Sequence, residues 1–355
     1  MNPSLSTPAA SPDVLPSTPL LVAAARRLAC ERAPVWIMRQ AGRYLPEYRA
    51  VREKVSFIGL CKTPELAAEV SIQPVDRLGV DAAILFSDIL IPLEAMGLEL
   101  EFTDRGPHLP APVRDRAAIE RLVVPDPREK MPFVAQAVRI VVERLAGRVP
   151  VIGFAGAPFT LACYAVDGGG SKDFARTRAM MHAAPADFAL LLERLADTVA
   201  ASLEAQVDAG VQLVQLFDSW GGNLSEAQWR TFALPATARI VSRLQAKGVP
   251  VTLYLGGGPH LIDAMADTGA DVLGLDWRVD LKTVLDRLGD RVAVQGNLDP
   301  TLLYAPPARI REEVARIARG VAHRPHIWNL GHGILPDVPV EHAQAFVRAC
   351  QELRS

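Results

Sequence analysis

Short apolar runs recur along the chain, at 34–38, 82–86, 150–154, 212–217, 250–255, 271–275, 291–295 and 326–330. Each gives way to a glycine-rich or polar stretch, the pattern of strands that end in loops. Between the runs lie longer segments with apolar residues at helical spacing, at 63–78, 131–145, 186–207, 225–246, 260–267, 281–288, 308–321 and 340–353. These predict helices, the first opening with Thr63 as N-cap and Pro64 at the first helical position. Eight strand-then-helix units with no composition break or linker predict α/β architecture in one domain, 20–355, built as a single (β/α)8 TIM barrel. Two dinucleotide-binding halves are the alternative, but no strand is followed by Gly-x-Gly-x-x-Gly; the nearest stretch, Gly256-Gly257-Gly258-Pro259, lacks the spacing.

In such a barrel the active face lies at the C-terminal ends of the strands. Reading those ends in order gives Arg39 and Arg43, Ser87 and Asp88, the stretch GAPFTLACY at 156–164, Asp218 and Ser219, Gly256 to Gly258, Asp276 and Trp277, Asn297 and Asp299, and the Gly331-His332-Gly333 turn. The chemically unusual residues therefore gather on one rim.

Composition narrows what that rim serves. Half of the 355 residues are apolar and 22% are charged, enough for a large core. With 38 Lys+Arg against 40 Asp+Glu, the formal net charge is −2, so no general field draws nucleic acid or an anionic membrane, and any anion must be held by local arginines. No run reaches the length of a membrane span. Cys30, Cys61, Cys163 and Cys350 are scattered, without Cys-x-x-Cys or His-x-Cys, so neither a metal site nor a disulfide framework is suggested, and a reducing, cytoplasmic setting fits. Residues 1–19, rich in Pro, Ser, Thr and Ala, read as a disordered N-terminal tail rather than a signal peptide.

Arg39 and Arg43 stand four apart with Gly42 between them, which argues for a loop. Two permanently charged forks suit carboxylate or phosphate recognition; the bland alternative is surface pairing with Glu47 or Glu53. Asp88, after the apolar Ile84-Leu85-Phe86, is expected to face the barrel mouth with apolar walls behind it, or else merely to cap the next helix. Tyr164 and His332 are rings that can both pack and hydrogen-bond, and the glycines flanking His332 allow close backbone approach to a ligand. Ser219 has no nearby partner that would activate a nucleophile, so a hydrogen-bonding role is expected. The glycine triplets at 168–170 and 256–258 read as turns, and no Lys-Ser/Thr follows either to make a P-loop.

Taken together, WIMRQAGRYLPEYR, FSDIL, GFAGAPFTLACYAVDGGGSKDF, LFDSWGG, QGNLDP and NLGHGILPDVP closely resemble the uroporphyrinogen decarboxylase family, in order and from about residue 20 to the C-terminus. The resemblance implies a cofactor-free, metal-free carboxy-lyase of haem biosynthesis that turns the four acetates of an octacarboxylic tetrapyrrole, uroporphyrinogen III, into methyls. It implies that Arg39, Gln40, Ala41, Gly42 and Arg43 line the substrate cleft, that Asp88 faces the pyrrole nitrogens, and that Tyr164, Ser219 and His332 contact substrate. It also implies a homodimer. Relatives vary where this chain has Trp220, which is assigned no role.

The residues suit that chemistry. Losing CO2 from a carboxymethyl group on a pyrrole leaves electrons that need a sink, and protonating the adjacent ring carbon supplies an iminium-like one. A fixed carboxylate stabilises that transient cation, which makes Asp88 the expected catalytic carboxylate, with Arg39 and Arg43 positioning the substrate carboxylates. The proton donor stays open between an arginine, His332 and water. Two rivals are a zinc-dependent corrinoid or thiol methyltransferase on the same barrel, for which the His-x-Cys motif is missing, and a tetrapyrrole carrier without turnover, which would not need Asp88.

Overall fold

Seven parallel strands form a curled sheet in the order β1 (Ala83–Ile84), β4 (Val151–Gly156), β5 (Leu213–Asp218), β6 (Val251–Leu255), β7 (Val272–Gly274), β8 (Ala293–Leu298) and β9 (His326–Leu330). The computed structural model describes residues 18–103 and 106–353. Of the expected 1–19 tail, residues 1–17 lie outside the described residues, and a helix starts at Leu20. β2 (Glu101–Thr103) and β3 (Gly106–His108) pair antiparallel apart from the main sheet, an addition that the apolar pattern does not announce.

Each strand pairs with the next main-sheet strand in sequence, and the intervening helices pack on the outer face. Successive side chains on a strand point to opposite faces, so the runs are apolar throughout because both faces are buried. Leu213, Val272, Ala293 and Ile327 join Trp36 and Tyr254 in an inner cluster. Their sequence neighbours Val214, Leu273, Val294 and Trp328 belong to the larger outer layer under the helices. The inner layer also holds a polar thread: Trp36 Nε1 donates to Gln295 Oε1 at 3.0 Å and Gln295 Nε2 donates to Gln215 Oε1 at 3.1 Å.

The expected first strand is the main departure. Segment 34–38 touches the sheet through one parallel bridge, Val35 to Trp328. Its carbonyl at Pro34 accepts from Trp328 N (2.8 Å), Trp36 N donates to Trp328 O (3.2 Å), and Val35 O accepts from Asp81 N (2.8 Å). Its other donors go to side chains instead of a ladder: Val35 N to Asp81 Oδ2 (2.8 Å), Ile37 N to Gln40 Oε1 (2.9 Å) and Met38 N to Asn329 Oδ1 (2.8 Å). These satisfy the buried backbone without making a strand.

The other seven strands fall where the apolar runs place them, within three residues at either end. Among helices, Thr63 holds the N-cap position of Pro64–Leu78, but its hydroxyl donates back to Gly59 O (2.8 Å) rather than capping. The expected helix 225–246 is broken into Glu226–Gln228, a wider π turn Trp229–Ala233, and Leu234–Gln245.

Candidate active site

A cavity of about 320 Å³ opens at the C-terminal ends of the strands. Arg39, Ala41, Gly42, Arg43, Asp88, Ser219 and His332 line it, with apolar walls from Phe86, Phe154 and Phe217 among others. A larger hollow of about 730 Å³ lies at the opposite end of the sheet against Arg27, Asp290 and His323 and contains none of these residues.

Arg39 leaves the first apolar segment in the left-handed region, at φ 62°, unusual for a residue with a side chain. Gly42 follows at φ 76°, and a Cβ there would lie 2.1 Å from the Phe86 ring, so glycine is required on both counts. This turn carries both guanidiniums to the cavity. The alternative of surface pairing does not hold: Glu47 pairs with Arg77 at 3.5 Å, and among the described residues neither Arg39 nor Arg43 makes an ion pair. Burial and the neighbouring charge of Arg39 lower Arg43 to about 10, partly opposed by Tyr304.

Asp88, on the loop after β1, is half-buried. One carboxylate oxygen accepts from Leu90 N at 2.8 Å, a turn bond made before helix Ile91–Ala95; Leu90 is the N-cap of that helix, so Asp88 does not cap it. Burial raises its pKa to about 6, against the Leu90 N–H and the positive charge of Arg39. At pH 7 the group is mostly ionised, a carboxylate with apolar walls facing an open cavity.

His332 sits on the turn after β9, its ring edge-on to Tyr254 with centroids 6.4 Å apart. Burial, then Arg39 and Arg43, lower it to about 4, so the imidazole is neutral at pH 7. Tyr254 lies on the inner face of β6 and its hydroxyl donates to Gly331 O at 3.0 Å, fixing that turn; in sequence it looks like an ordinary core aromatic and gives no sign of this role. Ser219 follows β5 and its hydroxyl makes no hydrogen bond among the described residues, in keeping with the lack of an activating base.

Two expected residues sit elsewhere. Gln40 is wholly buried, accepting from Ile37 N and donating to Ala82 O at 2.9 Å, so its amide joins the first segment to the start of β1 rather than lining the cavity. Tyr164, on helix Pro158–Asp167, is not part of the cavity wall; its ring packs edge-on against Phe174 and Trp220, with centroids 5.9 and 6.5 Å apart. Burial raises its hydroxyl pKa, and the charges of Asp88 and Arg39 both reach it.

Cys61, Cys163 and Cys350 are buried and Cys30 is half-buried, all four with thiols raised by burial. Among the described residues no group of three or more His, Cys, Asp or Glu comes together to hold a metal ion, and no helix is long and apolar enough to cross a membrane.

The family model described as uroporphyrinogen decarboxylase (URO-D) matches residues 16–353. The chain belongs to the uroporphyrinogen decarboxylase family. Relatives bearing that family name include one from Trichlorobacter lovleyi, 54% identical over 91% of this chain and 95% of its own, and one from Geobacter sulfurreducens, 52% identical over the same shares. Among solved structures, a methyltransferase from Methanosarcina mazei superposes with a TM-score of 0.78 over 94% of this chain and 97% of its own, at 23% identity. A B12-independent methionine synthase from a Shewanella species superposes at 0.53 with 10% identity, covering 90% and 93%. At those identities the likeness concerns the fold alone. The cavity residues all lie within the matched span.

Proposed function

We propose that the chain is a carboxy-lyase that decarboxylates the four acetate side chains of uroporphyrinogen III to methyls, giving coproporphyrinogen III, without a cofactor or metal. The observation that carries this reading is one cavity holding two guanidiniums that make no ion pair among the described residues, beside a half-buried carboxylate. A polyanion supplies what the arginines lack. A pyrrole made cationic by protonation at carbon supplies what Asp88 can stabilise.

In this mechanism Arg39 and Arg43 bind and orient substrate carboxylates, which lowers the entropic cost of reaching the reactive arrangement. Asp88, ionised at neutral pH, faces the pyrrole N–H groups and offsets the positive charge that develops as the ring carbon is protonated. Ser219 and His332, with Ala41 and Gly42 in the cavity wall, contact the substrate, while Gln40 acts by holding the arginine turn in place and Tyr164 by packing against Phe174 and Trp220 behind the wall. His332 held near 4 carries no imidazolium proton at pH 7. That leaves water, or an arginine such as Arg43 with its lowered pKa, as the donor.

We assign residues 20–355 to one domain and read its sheet as a closed (β/α)8 barrel, with segment 34–38 as the eighth stave; its hydrogen bonds to Trp328 on one side and Asp81 on the other support this. Homodimerisation and a cytoplasmic location complete the reading.

The test is anaerobic incubation of metal-free protein with uroporphyrinogen III, then oxidation and chromatographic separation of the porphyrins. Stepwise loss of carboxylates down to coproporphyrin is expected. Tight binding without loss would make the protein a carrier and overturn the assignment.

A further inference from the structure

Ser219 stands between two residues tied to a single hydroxyl. Thr160 Oγ1 donates to Asp218 Oδ1 at 2.8 Å and accepts from the backbone N–H of Trp220 at 3.3 Å. Asp218 is wholly buried, and its Oδ2 accepts from Trp229 Nε1 at 3.0 Å. The Gly221 backbone N–H donates to the same carboxylate; burial raises its pKa, and the three donors pull against that rise. No cation pairs with Asp218 among the described residues.

The backbone on either side is held as well. Phe217 O accepts from Ala157 N at 2.9 Å and Asp218 O accepts from Gly256 N at 3.3 Å, so the loops after β4 and β6 grip the end of β5. A Cβ on Gly256 would fall 3.0 Å from Ser219 O, one on Gly221 2.5 Å from Asp218 Oδ2, and one on Gly222 2.3 Å from Gly256 O. Trp229 is the first residue of the π turn that interrupts its helix, a distortion often found beside functional sites.

A buried carboxylate without a cation is costly, and well-packed apolar residues commonly serve stability as well or better. What this group gives that they cannot is direction: it converges three elements on the two residues flanking a cavity serine. We infer that Thr160, Asp218 and Trp229 are positioning residues whose task is to fix Ser219 on the cavity wall for its hydrogen bond to substrate. The inference rests on the proposed decarboxylase reading. It explains why the Ser219 hydroxyl, which has no partner of its own, still needs a defined place.

The test is a double-mutant cycle of Thr160→Val and Ser219→Ala, read as KM for uroporphyrinogen III, with Kd for uroporphyrin as a second readout. Thr160→Val removes the hydroxyl that holds both flanks. Loss of one hydrogen bond predicts KM rising about tenfold in the parent and staying within about twofold in the Ser219→Ala background, with Thr160→Ser restoring the parent value. An equal rise in both backgrounds, or no rise in the parent, overturns the inference. If Thr160→Val does not fold, Trp229→Phe, which deletes only the indole donor from this network, enters the same cycle under the same criteria. A parent that binds uroporphyrin but does not turn over would sink the function alone, since the cycle in Kd still judges the positioning role.

Discussion

Arg39 and Gly333 share one space: a Cβ on Gly333 would sit 2.4 Å from Arg39 Cδ and 2.7 Å from its Cγ. In sequence, the glycine after His332 reads as a place where backbone can approach a ligand. Its use in the fold is to admit the stem of an arginine, so the guanidinium position depends on a residue some 300 positions away.

Gly333→Ala tests that dependence. The arginine stem is flexible and can swing aside, so Tm is expected to change by only a few degrees while KM for uroporphyrinogen rises about tenfold through misplacement of one charged hydrogen-bond donor. Added to Arg39→Ala, the same substitution should cost little more. Additive losses would show that Gly333 acts elsewhere.

Asp88→Asn separates charge from shape. Turnover should fall by at least about a hundredfold, as when one preorganised electrostatic group is removed, with uroporphyrin binding kept within a few-fold. Because burial raises the pKa to about 6, parent kcat/KM should climb with pH through that value and level off above it; the variant should lose this limb. A parent profile flat between pH 5 and 7 would remove Asp88 from the mechanism.

The same shift has a stability consequence of defined sign. The folded state holds the Asp88 proton to higher pH than the unfolded chain, so the ionised group costs stability that is absent below about 3.8 and complete above about 6. Asp88→Asn is therefore expected to raise Tm at pH 7 to 8, with the gain shrinking toward pH 4, measured by thermal melts across that range.

His332 reports on both arginines. Their charges add to burial in holding it near 4, so Arg39→Gln should move its titration midpoint upward in ring-proton NMR. An unchanged midpoint would mean that Arg39 has no part in setting it.

Removing Arg43 should weaken binding of an anionic porphyrin about tenfold or more and make the affinity less sensitive to salt. Titrations at two ionic strengths decide this: an unaltered salt slope would place Arg43 outside the anion contacts.

Much of this architecture is legible in the chain because the strands are buried on both faces and so appear as short unbroken apolar runs. Segment 34–38 has the same look, but three of its donors are met by the side chains of Gln40, Asp81 and Asn329, and the proximity of the last two is revealed by no local pattern. The interruption at Trp229 is invisible for a different reason: a π turn keeps the apolar periodicity on both sides. Residues placed just after an apolar run reach the cavity because it opens at the C-terminal ends of the parallel strands, and that rule holds for Arg39, Arg43, Asp88, Ser219 and His332. Gln40 shares their position in sequence, yet its amide points to β1. Thr160 gives no signal, since its link to Asp218 spans 58 residues and obeys no spacing rule.

The unpaired arginines also bear on how a reaction that repeats four times on one molecule comes to an end. Among the described residues neither arginine makes an ion pair and Asp88 is the one carboxylate lining their cavity, so Arg39 and Arg43 owe much of their grip to the charge the guest brings in. Under the proposed chemistry each departing CO2 takes one negative charge from that guest, so the Coulombic hold slackens at every round. The cavity thereby counts carboxylates: it retains what is still rich in them and lets go of what has been depleted, with no moving part needed to time the exit.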